Sequence, residues 1–272
     1  MSSKLIVNTI RHTGASSDAV TLASDGTCTA NLTNKPNRNL IINGAMQVAQ
    51  RGTSSNSSGY QTVDRFSHSG SGWDEAMAQI QGTVGSGVTP YELGFRKTFK
   101  IQNGNQSSGA GSNDYLHAVY AIEDQDLATS GWNYTSASSH ITLSFWVKSS
   151  VAQNFYFYFQ SDNGSQYRYV METGSLTANT WTKVTKTIPG NSNIVLNNDT
   201  GAGMYIVWNI FDGTDRTGTR PLNAWAVLDN ANRTPDQTST WYTTNNATFE
   251  ITGVQLEVGS VSTDFEHKSF AQ

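Results

Sequence analysis

Cysteine occurs once in this chain, at Cys28, which excludes an intramolecular disulfide framework and leaves a cysteine-based zinc site without a second sulfur ligand. Charge is scarce as well. Only 14% of residues are Asp, Glu, Lys or Arg, the formal net charge is −4, and the basic residues form no run. The electrostatic footprint of a nucleic-acid or anionic-membrane binder is therefore missing. No apolar stretch approaches the ~20 residues of a membrane span. The amino terminus MSSKLIVNTIRH lacks the basic and apolar regions of a secretory signal, so synthesis and assembly in a cytoplasm are expected. Long runs of helix-forming residues are also lacking; Gly, Ser, Thr and Asn dominate, which favours strands joined by polar loops.

What is present is alternation. Between 141 and 148, Ile141, Leu143, Phe145 and Val147 alternate with Thr142, Ser144, Trp146 and Lys148, a period of two that a strand satisfies and a helix does not. Phe155, Phe157 and Phe159 alternate with Tyr156, Tyr158 and Gln160 in the next run, and after the turn residues Asp162, Asn163 and Gly164 a third strand spans 166–172. The three read as one antiparallel meander with a buried and a partly wet face. Further strands are expected at 39–44, 76–81, 95–101, 115–122, 180–184 and 204–211, the last buried on both faces, with one short helix at 123–128. In the final strand Phe249 and Ile251 are odd whereas Val254, Leu256 and Val258 are even, and a bulge at Gly253 restores their common facing.

The 272 residues suit one main domain and an appendage. Residues 1–34 are too polar and short to fold alone. They carry strand-like pieces at 4–10 and 19–23 and a hairpin turn at Asp25-Gly26. A lone hairpin is marginal in water, so it either docks on the main domain or pairs with copies of itself around an oligomer axis, the second being favoured. Leu5, Val7, Ile10, Val20 and Leu22 are its candidate attachment and oligomerisation residues. Residues 35–38, with Pro36, form a linker. Residues 39–272 are expected to be an all-β, two-sheet antiparallel jelly-roll sandwich, with an immunoglobulin-like sandwich as the alternative.

The phrases NLIINGAMQVAQRGTS and YQTVDRFS, with the ending FEITGVQLEVGSVSTDFEHKSF, resemble tail-fibre-like and other virion structural proteins of tailed phages, especially those of marine bacteria. The opening SKLIVNTIRHTGASSDAVTLASDGT is similar to an amino-terminal attachment segment of phage fibres, and ITLSFWVKS and TWTKVTKTIPG to carbohydrate-binding-type jelly rolls. The resemblance implies an oligomeric, often trimeric, virion component without a cofactor, partnered by itself and by other virion proteins. It leaves tail adhesion and capsid decoration both open.

Trp146, Tyr156, Tyr158 and Tyr205 are the candidate glycan contacts, since sugar rings stack their C–H faces on aromatics while Lys148, Gln160 and Arg168 take hydroxyl hydrogen bonds. The competing reading is that a long loop or a neighbouring subunit covers these rings. The acid pairs Asp124/Asp126 and Asp212/Asp215 have the residue types of glycoside hydrolysis, and the second also those of a calcium site, but neither has the pattern of one. His12, His68, His117, His140 and His267 are scattered without metal-ligand spacing, and no G-x-S-x-G elbow or phosphate-binding loop occurs. The expected function is adhesion to a host-surface glycan by a non-enzymatic virion appendage. The alternatives are a decorating subunit with no ligand and, less favoured, a depolymerase.

Overall fold

The computed structural model describes residues 7–16, 18–30 and 38–268. The amino-terminal strands are β1 (Thr9–Ile10), β2 (Val20–Leu22) and β3 (Cys28–Ala30). Then come β4 (Ser54–Ser55), β5 (Phe66–Ser71), β6 (Ala78–Thr83), helix α1 (Thr89–Glu92), β7 (Lys97–Gln102), β8 (Tyr115–Glu123) and helix α2 (Asp124–Ala128). The centre of the chain supplies β9 (His140–Ser149), β10 (Asn154–Ser161), β11 (Tyr167–Ser175), β12 (Thr182–Pro189) and β13 (Ala202–Asp212). It closes with β14 (Trp225–Val227), helix α3 (Thr240–Thr243) and β15 (Thr248–Val258).

Contacts divide the chain into Met1–Asn37 and Arg38–Gln272. In the first unit β1, β2 and β3 form a small antiparallel sheet. Asp25 Oδ1 accepts from Thr27 N at 2.9 Å and Gly26 has φ 88°, so the turn forms where the Asp-Gly pair places it. Ile10 opposes Val20, and Leu22 shares their face two residues on. Ile10 is 53% and Leu22 40% exposed, and Val7 is half-buried. Leu5 and the linker residues 35–37 lie outside the described residues.

The second unit is an all-β jelly-roll sandwich of two six-stranded antiparallel sheets, ordered β14-β11-β10-β13-β8-β5 and β12-β9-β15-β7-β6-β4. The alternating apolar residues meet between them. Phe145 of the second sheet packs edge-on against Phe157 at 5.1 Å and Trp208 at 5.6 Å in the first. Phe155 faces Phe249 at 5.0 Å and Phe66 faces Phe99 at 5.8 Å across the same gap. Each such ring removed from water contributes about 1.5–3 kcal/mol before the entropy of ordering it.

Three sequence expectations are corrected. The run 141–171 is not a single meander, because β10 pairs with β11 but β9 belongs to the opposite sheet, the chain crossing the core edge at 150–153. Alternation reports which face is apolar and not which sheet holds it. Residues 39–44 are not a strand: the Asn39 side chain accepts Ile41 N and Leu256 N, both at 3.0 Å, and Asn43 takes φ 60°, so side-chain bonds and a left-handed residue turn the segment. Val258 is 40% exposed rather than core. The bulge falls where parity places it: the β15–β9 register shifts between Thr252 and Gln255, with Gly253 at φ 61°.

Three of the phrases carrying the phage resemblance, all in the second unit, pack together. Leu40 N donates to Leu256 O at 2.9 Å, Val254 N to Gly44 O at 2.9 Å, and Asp64 N to Val48 O at 3.0 Å. Arg38 Nε lies 3.4 Å from Glu257. These phrases are thus one packed unit around the Gly253 bulge. Among the described residues no helix is long and apolar enough to cross a membrane.

Candidate functional site

The solvent side of the first sheet is built from three register rows. One runs Glu172, Tyr156, Asn209, His117, Ser69; the next Val170, Tyr158, Val207, Val119, Ser67; the third Arg168, Gln160, Tyr205, Ala121. Three of the sequence-predicted contacts, Tyr156, Tyr158 and Tyr205, therefore do share a face, and Arg168 joins them. Trp146 does not: it lies on β9, on the outer side of the other sheet, beside Lys183 and Thr252.

The wet face that alternation predicts is largely covered. The segment 213–239 lies over its middle, placing Leu222 on Tyr158, Val170 and Val207, with Asn223 N donating to Val170 O at 2.8 Å. Tyr158 is 3% and Arg168 2% exposed, so neither is a free ligand contact, and here the loop-covered alternative prevails. The Arg168 guanidinium stacks 4.2 Å from the Tyr158 ring centroid, and its Nη2 donates to Gln160 Oε1 at 2.8 Å. Burial pushes the Tyr158 phenol above its ordinary range.

Under the same segment Asp212 is held by His117 Nε2 at 3.1 Å, Asn209 Nδ2 at 2.9 Å and Arg233 Nη1 at 3.4 Å. Its sequence partner Asp215 sits apart, accepting from Ser112 Oγ at 2.8 Å. Asp124 is fully buried and receives Asn163 Nδ2 at 2.9 Å and Asn197 N, contacts that position a loop. Among the described residues no three His, Cys, Asp or Glu side chains converge as metal ligands.

Beyond the covering segment a hollow of about 510 Å³ opens, lined by Gln50, Arg51, Tyr60, Asp64, Arg65 and Glu123 together with Ala121, Thr200 and Ala202. Tyr205, which opposes Ala121 in register, borders it. Tyr60 is 45% exposed. Arg65, at φ 73°, donates through Nη1 to Glu123 Oε1 at 2.7 Å, which holds the Glu123 carboxyl below and the Arg65 guanidinium above their ordinary ranges. Partial burial, then the Asp162 carboxylate, raises the Tyr205 phenol. The arrangement offers two partly wet rings next to ion-paired donors and acceptors, which suits an uncharged polyhydroxylated ligand. Alternation could not reveal Tyr60, Arg51 or Arg65, since they lie in turns. Their one signal is that they fall within the AQRGTS and YQTVDRFS phrases.

Neither a protein-family profile nor a curated protein sequence matches the chain. Several solved structures align with the chain at low similarity. The enzymatically active domain of tailspike protein 4 from bacteriophage CBA120 aligns at 12% identity and a TM-score of 0.45, over 82% of this chain and 22% of that one. The baseplate tripod of bacteriophage Tuc2009 aligns at 13% and 0.37, over 90% and 63%. The amino-terminal cellulose-binding domain of Cellulomonas fimi β-1,4-glucanase C aligns at 9% and 0.37, over 79% and 99%.

Proposed function

We propose that this chain is a structural component of a tailed-phage virion, a tail fibre or similar appendage assembled in the host cytoplasm. The amino-terminal sheet joins it to the particle and to sister chains, as a trimer on the phage resemblance, and the sandwich adheres to a host-surface glycan without cleaving it. The observation carrying this reading is the contrast between the two units. The sandwich buries its rings between its own sheets, whereas the small sheet leaves Ile10 and Leu22 on a face with too little apolar mass to close a core. The phage-like phrases at both ends of the chain support the same assignment. Glycan contact is assigned to the hollow lined by Tyr60 and Arg65, together with Tyr205, the register neighbour of its lining residue Ala121.

A glycan array probed with the full chain tests the adhesion. Binding that Tyr60→Ala with Tyr205→Ala abolishes supports it; binding indifferent to both substitutions removes the hollow from the account. Deleting residues 1–34 leaves a folded sandwich that no longer joins the particle; retained incorporation would refute the role of the arm. A second reading, a decorating subunit with no ligand, draws on the covering of Tyr158 and Arg168. An array without a single bound glycan selects it.

A further inference from the structure

The outer side of the second sheet carries a different surface. One register row runs Lys148, Glu250, Lys100, Ile80, Ser54 across β9, β15, β7, β6 and β4. The neighbouring row places Lys183 of β12 opposite Trp146, and Trp181, one residue before β12, has its ring 5.0 Å from Lys148 Nζ. Three of the chain's eight lysines thus share a face with two half-buried indoles. Glu250 is the one carboxylate among them, and it is spent: Oε1 pairs with Lys148 Nζ at 3.0 Å and Oε2 accepts from Thr98 Oγ1 at 3.1 Å, the residue being 7% exposed. Lys100 and Lys183 have no ion-pair partner among the described residues, so in a chain of net charge −4 this face is locally cationic. The segment after β15 covers the adjoining part of this side, where Thr142 and Thr187 donate to Gly259 O and Ser260 O and Glu266 N donates to Gln255 Oε1 at 2.9 Å; none of these contacts reaches Lys148, Glu250, Lys100 or Lys183.

We propose that this face is a second binding site, specific for an anionic glycan bearing uronic carboxylates or sulfate esters. Trp146 and Trp181 take the C–H faces of the sugar rings, while Lys183 and Lys100 meet the acidic groups. Lys148, held between Glu250 and Trp181, fixes the indole rather than binding the ligand. The site lies on the opposite sheet from Tyr60 and Tyr205, and its charge selects a different class of sugar from the ion-paired hollow. A single-stranded nucleic acid also combines anions with stacking groups. Arg38, the arginine placed at this side of the sheet, lies against Glu257 and away from the lysine row, and the two unpaired cations stand on strands three places apart, about 14 Å by strand spacing, too sparse for a phosphate track.

The test titrates the full chain, by calorimetry and tryptophan fluorescence, with an oligogalacturonate, a κ-carrageenan oligosaccharide, a neutral galactan oligosaccharide and an oligothymidylate. One of the two acidic sugars binds with a dissociation constant of about 1 mM or tighter, in the Tyr60→Ala with Tyr205→Ala variant at least about tenfold better than the neutral one, and which of them does so identifies the acidic group. Lys183→Glu, an exposed substitution that leaves the core untouched, and Trp146→Ala each weaken it at least about tenfold, while Tyr60→Ala with Tyr205→Ala leaves it unchanged. The proposal is overturned if neither acidic sugar binds, if in the Tyr60→Ala with Tyr205→Ala variant the neutral sugar binds as well as the acidic one, if the oligothymidylate binds as well, or if Lys183→Glu leaves the affinity intact. Because the Tyr60 and Tyr205 variant is read in the same titrations, failure here and failure of the adhesion hollow are separable.

Discussion

Arg168 lies over the ring of Tyr158, its Cζ 4.2 Å from the centroid, and both residues are closed off from solvent beneath segment 213–239. The pair converts what alternation marks as a wet aromatic face into an anchor for a long loop. Arg168 also donates to Gln160 Oε1 through Nε and Nη2, so its removal leaves a half-buried acceptor without these donors and takes the guanidinium off the Tyr158 ring. Arg168→Ala is expected to cost about 2–4 kcal/mol by urea denaturation. It should also make 213–239 the first site of limited proteolysis. Unchanged stability together with unchanged cleavage would sink the anchoring role.

His68 supplies a pH dependence. It is fully buried, Gln79 Nε2 lies 3.0 Å from its Nδ1, and burial lowers its pKa from 6.5 to about 4. The folded state therefore holds it neutral while the unfolded chain takes up a proton. Its contribution is present above pH 6.5 and is lost as pH falls from 6.5 toward about 4, a loss of about 3 kcal/mol, with no further change below. Denaturation midpoints recorded across this window should fall for the native chain and fall less for His68→Gln.

The Gly253 bulge gives a paired comparison. Gly253 has φ 61°, and an added Cβ would stand 2.7 Å from the Phe95 ring; Gly174 has φ 74° but open space around it. Gly174→Ala pays only for the left-handed backbone, about 1–2 kcal/mol. Gly253→Ala adds overpacking to that, about 2–5 kcal/mol in all. Equal losses in thermal denaturation would show that the approach of Phe95 is not tight.

On the proposal that the small sheet buries its apolar side between copies, Ile10→Asp with Leu22→Asp disrupts assembly and leaves the sandwich unharmed. Light scattering should then report a single chain where the unaltered protein reports several, with the melting of the sandwich unmoved. Cys28, exposed and opposite Leu22, gives a second readout, since a short bis-maleimide should link chains in the unaltered protein only.

Much of the fold was legible because it rests on local rules. The pleat sends successive side chains to opposite faces, so the burial of Ile141, Leu143, Phe145 and Val147, and of Phe155, Phe157 and Phe159, follows from spacing alone. The parity switch between Ile251 and Val254 likewise required a bulge at the intervening glycine. The candidate site was legible only in part. Tyr205 was named from its strand, whereas Tyr60, Arg51 and Arg65 come from turns that no periodicity describes.

The amino-acid order by itself determined that this is a sandwich of alternating strands, which side of each strand is apolar, and that the first thirty or so residues hold too little apolar surface to close a core. Tertiary structure alone decided that Trp146 and Tyr156 stand on opposite sheets and that Tyr158 is dry. The reason is range: a pleat is set within a few residues, whereas the crossing at 150–153 and the seating of 213–239 on Val170 depend on contacts between distant parts of the chain.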